Sequence, residues 1–303
     1  MARNTTRRRQ SRRSAQLDFA ALEVVGGLLP TDVVTQIAAG DAGEQSDENY
    51  GIIKGLKLRD EIARFYQIGL AHWETFEMNR AGNASAPIGF VQSLLRDCFG
   101  FSTLQKSTGK VLSERSFPIN FAAESGRIPV IISPMAAEGN NRLGIDEAHE
   151  QFGDGTRKRS ATQLLQEYLN ADEEALWGIV CDGNTLRILR DNASLTRPAW
   201  IEVNFEKIFQ DGLFPDFSAT WLILHASRFG SSGTNPSDCS LERWKEKSRL
   251  DGAAAKENLR LGVEAALIEL GSGFLSHEEM LTYVRHWLMV ILRDKHITKN
   301  CCV

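Results

Sequence analysis

The sequence lacks the signatures of several common chemistries. Its five cysteines (98, 181, 239, 301 and 302) form no C-x-x-C pair, which argues against a disulfide framework or a zinc site and fits a reducing cytoplasm. No apolar run approaches the roughly 18 residues of a membrane span; the nearest, Trp287–Leu292, is far too short. The first 16 residues have no apolar core, so they are not a secretory signal. His277-Glu278-Glu279-Met280-Leu281 begins like a zinc-hydrolase helix, but Leu281 stands where the second histidine ligand belongs. Gly109-Lys110 is followed by Val111 without the glycine spacing or hydroxyl of a phosphate-binding loop, and no G-x-S-x-G occurs. His72 and His225 sit on apolar helix faces and read as core histidines.

What is present begins with an uneven charge. The 303-residue chain has net charge −4, yet Met1–Gln16 holds six arginines and no acid, leaving about −10 on the rest. Arg7, Arg8, Arg9, Arg12 and Arg13 in this arm read either as a phosphate-contacting tail or as a disordered, solubilising terminus.

Along the chain, Leu17, Phe19, Leu22 and Val25 precede a break at Gly26-Gly27, and Pro30-Thr31-Asp32 reads as a helix start. Leu58–Asn79 is a long helix with Leu58, Ile62, Phe65, Tyr66, Gly69, Leu70, Trp73 and Phe76 on one stripe. After a small, polar stretch near residues 79–86 comes a helix over Ile88–Cys98, then β runs at Phe117–Phe121 and Ile128–Ser133. Met135–Arg159 is polar and glycine-rich, a flexible insertion or an ordered loop near a ligand. From Ile201 the pattern reads as helical. Phe205–Phe209 and Pro215–Phe229 are followed by a charged helix pair over Cys239–Leu270, a break at Gly271–Gly273 and a closing helix at Glu278–Arg293. Four regions are expected: a basic disordered arm (1–16), an N-terminal helical region (17–80), an α/β module (86–200) and a C-terminal helical region (201–303).

The most distinctive stretch is Gln163–Arg197. Leu164, Leu165, Tyr168 and Leu169 mark a helix. Two β-rich runs, Leu176–Val180 and Thr185–Leu189, then flank Cys181-Asp182-Gly183-Asn184, where an Asp-Gly pair predicts a hairpin with a type I′ turn. The pattern Q-x-x-x-Y followed by W-G-I-V-x-D-G-x-x-L-R-I-L-R resembles the nuclease-like core at the start of large restriction–modification proteins, the type IIG-like, adenine-specific DNA methyltransferases of bacterial defence loci. Gly26–Pro30, Phe117–Pro134, Arg190–Phe209 and Asp216–Gly230 carry further pieces of the likeness. Members of that family are several times longer, so the resemblance implies an N-terminal portion, with S-adenosylmethionine belonging only to the part not present here. The implied fold is α+β, a small mixed sheet of degenerate restriction-nuclease type flanked by helices.

Nucleases of that type need an acid-x-Lys triplet on one strand, because period-2 alternation then aims both side chains at the same metal and water. No Asp-x-Lys or Glu-x-Lys occurs anywhere, and the strand that should carry it reads IPVIIS. Glu124 before that strand, and Asp146 and Glu147 after it, are the only acids offered for an unusual arrangement. The Pro-Pro of an adenine-methylating loop is also missing, and Gly271-Ser272-Gly273 follows a helix, not a strand. For DNA contact the candidates beyond the arm are Arg157, Lys158 and Arg159, where a helix start would add free N–H groups, and Arg187, Arg190 and Arg197 around the hairpin exit. The expectation is a non-catalytic, cytoplasmic module of a phage-defence DNA methyltransferase that binds DNA or docks onto other subunits, with no metal, cofactor or membrane of its own. A purely structural interaction module and a cryptic Mg²⁺ nuclease are the alternatives.

Overall fold

A computed structural model describes residues 19–134, 143–155, 157–191, 199–276, 282–287 and 289. The arginines of the N-terminal arm and Arg197 lie outside the described residues. The chain divides into two compact units, one extending to Ser248 and one beginning at Arg249.

The first unit is built on strands β1 (Leu22–Val25), β2 (Gln105–Lys106), β3 (Lys110–Leu112), β4 (Arg115–Phe117), β5 (Phe121–Ala123), β6 (Ile128–Ile132), β7 (Trp177–Cys181), β8 (Thr185–Arg190) and β9 (Trp200–Asn204). Its helices are α1 (Thr31–Ala39), α2 (Leu58–Asn79), α3 (Ala86–Asp97), α4 (Ala161–Ala171), α5 (Phe205–Gln210) and α6 (Phe214–Leu224). A seventh, α7 (Ser240–Ser276), begins in this unit and runs into the second. The architecture is α+β. Seven strands form one sheet in the order β1-β9-β8-β7-β6-β5-β2, and β3 pairs with β4 in a separate ribbon. Every pairing in the large sheet is antiparallel except β6 with β7. That parallel step requires a crossover, and α4 lies between the two strands in sequence.

Both faces of the sheet are covered, which is why its central strands read as continuous apolar runs. Val130, Ile132, Ile179, Ile188, Ile201 and Val203 pack with the aromatic-rich helices α2, α3, α5 and α6. Ile131, Val180 and Leu189 lie on the opposite face with Leu164, Leu165, Tyr168 and Leu169 of α4. The α2 stripe buries Ile62, Tyr66, Gly69, Trp73 and Phe76. A Cβ at Gly69 would sit 3.1 Å from the ring of Phe209, so α2 and α5 approach closely at this glycine.

Four features differ from the sequence pattern. The run from Ile201 is strand β9, with Ile201 and Val203 inward and Glu202 and Asn204 alternating outward before Asn204 caps α5. The sheet is accordingly larger than expected, and it joins residues from both sides of the anticipated boundaries near 80 and 201. Phe117–Phe121 is two elements: Phe117 ends β4, Phe121 begins β5, and Pro118 lies between them. The charged helix pair is one 37-residue helix that passes through Gly271 and Gly273, where glycine weakens a helix without ending it. In the β7–β8 turn only Gly183 has positive φ, +95°, while Asp182 accepts the amides of Asn184 and Thr185. The type I′ sign pattern occurs instead between β3 and β4, at Ser113 (φ 48°) and Glu114 (φ 66°). No helix among the described residues is long and apolar enough to cross a membrane.

Candidate functional site

Strand β6 is the run on which the sequence resemblance would require an acid and a lysine. All five of its residues, IPVII, are buried, and Ile131 and Ile132 sit in opposite cores. The three candidate acids are held elsewhere. Glu124 heads a turn in which it, Ser125 and Gly126 all have positive φ. Its carboxylate accepts from Thr103 Oγ1 at 2.8 Å and from the amide of Ser232 at 3.1 Å. Asp146 pairs with Arg187 of β8, Nη1 to Oδ1 2.7 Å. The Glu147 carboxylate lies against Gly144 in its own turn. Among the described residues no three His, Cys, Asp or Glu side chains form a metal-holding group.

The basic candidates fall into two classes. Arg187 points away from the larger core, as its alternation with Leu186 and Ile188 requires, but α4 covers that face too. It is buried, stacked 4.2 Å from the Trp200 ring, and bonded to Glu202 (2.5 Å) and Asp146. Burial opposes its charge; the two carboxylates outweigh that and push its pKa above the ordinary arginine value. Arg190 is clamped by Glu242 through Nε at 2.6 Å and Nη2 at 3.0 Å. Lys158 pairs one-to-one with Glu150 at 3.1 Å. These three cations are matched by acids.

Arg157 and Arg159 are placed differently. Both reach Glu167 of α4, and so does Arg115 of β4. Three guanidinium groups therefore share one carboxylate. Two of the helix-start N–H groups expected beside them are engaged: Ser160 Oγ accepts from Gln163 N and Ile145 O accepts from Thr162 N, while Gln163 Oε1 accepts from Ser160 N. The Ser160–Gln163 pair is a closed capping box. Arg115 carries no spacing signal in the sequence. It joins the cluster only because the β3–β4 ribbon turns back beside α4.

At the C-terminal end of α4, Lys110 of β3 binds Asp172 at 2.7 Å, and Tyr168 bonds the same carboxylate. Burial pushes the Asp172 pKa up, but Lys110, Tyr168 and the amide of Glu174 together hold it below the usual aspartate range. The Tyr168 hydroxyl is raised, first by burial and then by Asp172.

Comparison with protein-family models, curated proteins and solved structures finds no match to this chain.

Proposed function

We propose that this chain is a non-catalytic, nuclease-like module of a restriction–modification or phage-defence DNA methyltransferase, and that it works by docking onto other subunits of the assembly. The observation that carries the reading is β6. In a mixed sheet with one parallel step and a crossover helix, the strand suited to metal ligands is apolar and buried from end to end. Such a strand is scaffold.

Docking is supported by the second unit. On α7, Leu259, Leu267, Leu270 and Phe274 are each at least 60% exposed, and Val263 is about half exposed. Between Leu261 and Ser276 the only charged residues are Glu264 and Glu269. A continuous apolar helix face of this kind is costly in water and marks a surface for a partner. The partner is a subunit presenting its own apolar helix or groove.

Co-expression with the methyltransferase subunit of the same locus tests this reading. The two are expected to co-purify, and Leu267→Gln with Leu270→Gln is expected to separate them while leaving the melting temperature of the chain unchanged. A complex indifferent to those substitutions would rule out this face as the docking surface.

A further inference from the structure

We propose that Arg115 and Arg157 form a binding site for a phosphate monoester, built on the base that Arg159 and Glu167 provide. The inference stands apart from the docking reading and does not depend on it. It starts from a charge imbalance at short range. Arg115 Nη2 lies 2.6 Å and Arg159 Nη1 3.0 Å from Glu167 Oε2, and Arg157 Nη2 bonds Oε1. One negative charge faces three positive ones.

The three arginines are not equivalent. The Arg159 side chain is fully buried, its Nε donates to Phe152 O at 2.9 Å, and its guanidinium lies over the Phe117 ring. It is a fixed support. Arg115 and Arg157 are more than half exposed, at 51% and 58%. Each donates side-chain hydrogen bonds to the protein through Nη2 alone, so Nε and Nη1 of both have no protein partner among the described residues. A guanidinium offers its donors in a planar fork that suits an oxyanion. Two forks anchored on the two oxygens of one carboxylate are held within reach of a single small anion.

The frame around them is rigid. Arg115 directly follows Ser113 and Glu114, consecutive non-glycine residues with positive φ that make the tight β3–β4 turn. The Arg157 amide donates to Asp154 Oδ1 at 3.2 Å, which fixes the other side. Lys158 adds no net charge here, because Glu150 balances it. The surplus near +2 matches a phosphate monoester, which carries roughly −1.5 to −2 at neutral pH, better than the single charge of a diester. The shared chemistry is a terminal phosphate, from either a free phosphate ester or a phosphorylated DNA end.

Fluorescence anisotropy with the full chain tests this, using one oligonucleotide with a 5′-phosphate and the same strand with a 5′-hydroxyl. The arginine-rich arm is common to the parent and the variants, so the change in discrimination on substitution reports on this site. Tighter binding of the phosphorylated strand is expected, competed by millimolar inorganic phosphate. Arg115→Gln and Arg157→Gln should each erase the difference, a loss of about tenfold, while Lys158→Gln should leave it intact. Stabilisation of the chain against heat by inorganic phosphate, lost in Arg115→Gln, is the matching readout without DNA. Competition as strong as by the phosphorylated strand assigns the site to free phosphate esters; weak competition assigns it to DNA ends. Equal affinity for the two strands together with no thermal shift in phosphate would overturn the proposal, as would wild-type discrimination in Arg115→Gln.

Discussion

Arg190 at the end of β8 holds Glu242 in the first turn of α7 with two nitrogens, Nε at 2.6 Å and Nη2 at 3.0 Å. Trp177 Nε1, across the β7–β8 ladder from Arg190, donates to the same carboxylate at 3.0 Å. One glutamate thus ties the start of α7 to the central hairpin. Removing it leaves a half-buried guanidinium and an indole N–H without their acceptor. Glu242→Ala is expected to cost about 2–4 kcal/mol, and Glu242→Gln, which keeps an acceptor for Trp177, clearly less. Denaturant midpoints at constant slope measure both.

Gly178 in β7 is fixed by sterics, not by backbone conformation. A Cβ there would lie 2.7 Å from Leu165 Cδ1 and 3.1 and 3.2 Å from Pro129 Cγ and O. The leucine tip can move, but the proline ring and carbonyl of β6 cannot. Gly178→Ala is therefore expected to destabilise the fold by about 1–3 kcal/mol through overpacking. An alanine variant as stable as the parent would mean that β6 and α4 approach β7 less closely than described.

The Lys110–Asp172 pair gives a pH dependence whose sign follows from the lowered Asp172 pKa. A carboxylate with a depressed folded-state pKa contributes stability above its unfolded value, near 3.9, and that contribution disappears as pH falls through the lower folded value. With Lys110 about half exposed, the effect is on the order of 1 kcal/mol. Asp172→Asn should be less stable than the parent at neutral pH, with the gap closing below about pH 4. A gap that persists unchanged in acid would assign the loss to packing or to the Tyr168 hydrogen bond.

Arg187 sits between Asp146 and Glu202 with its guanidinium against Trp200. Lysine keeps the charge but neither the fork nor the stacking surface, so Arg187→Lys is expected to cost about 2–3 kcal/mol. DNA affinity should be unchanged in the same variant, because this cation is already matched by two acids. Thermal melts and a salt-dependent DNA shift, run together, separate the two effects.

How far the sequence was legible depends on which interactions define each element. The bounds of α2 follow directly from its stripe, since one broad face meets one core. The β7–β8 hairpin was legible from its turn residues, although Asp182 closes the turn with its side chain and only Gly183 takes positive φ. Strand β9 was not, because its five residues are too few for alternation to stand out beside the helical α5 and α6. The β3–β4 ribbon was hidden for another reason. Its turn residues, Ser113 and Glu114, are not those that favour left-handed backbone, so nothing local announced it. Arg157 and Arg159 could be named as basic side chains before a helix. That Arg115 would join them, and that Arg187 and Arg190 would be matched by acids, depends on contacts between segments far apart in the chain.

The most direct test of the central claim is incubation of the purified chain with supercoiled plasmid and Mn²⁺, followed by electrophoresis. A sheet whose β6 offers no acid or lysine should produce no nicking above that of buffer, with Glu124→Gln and Asp146→Asn indistinguishable from the parent. Nicking by the parent that either substitution abolishes would contradict the account.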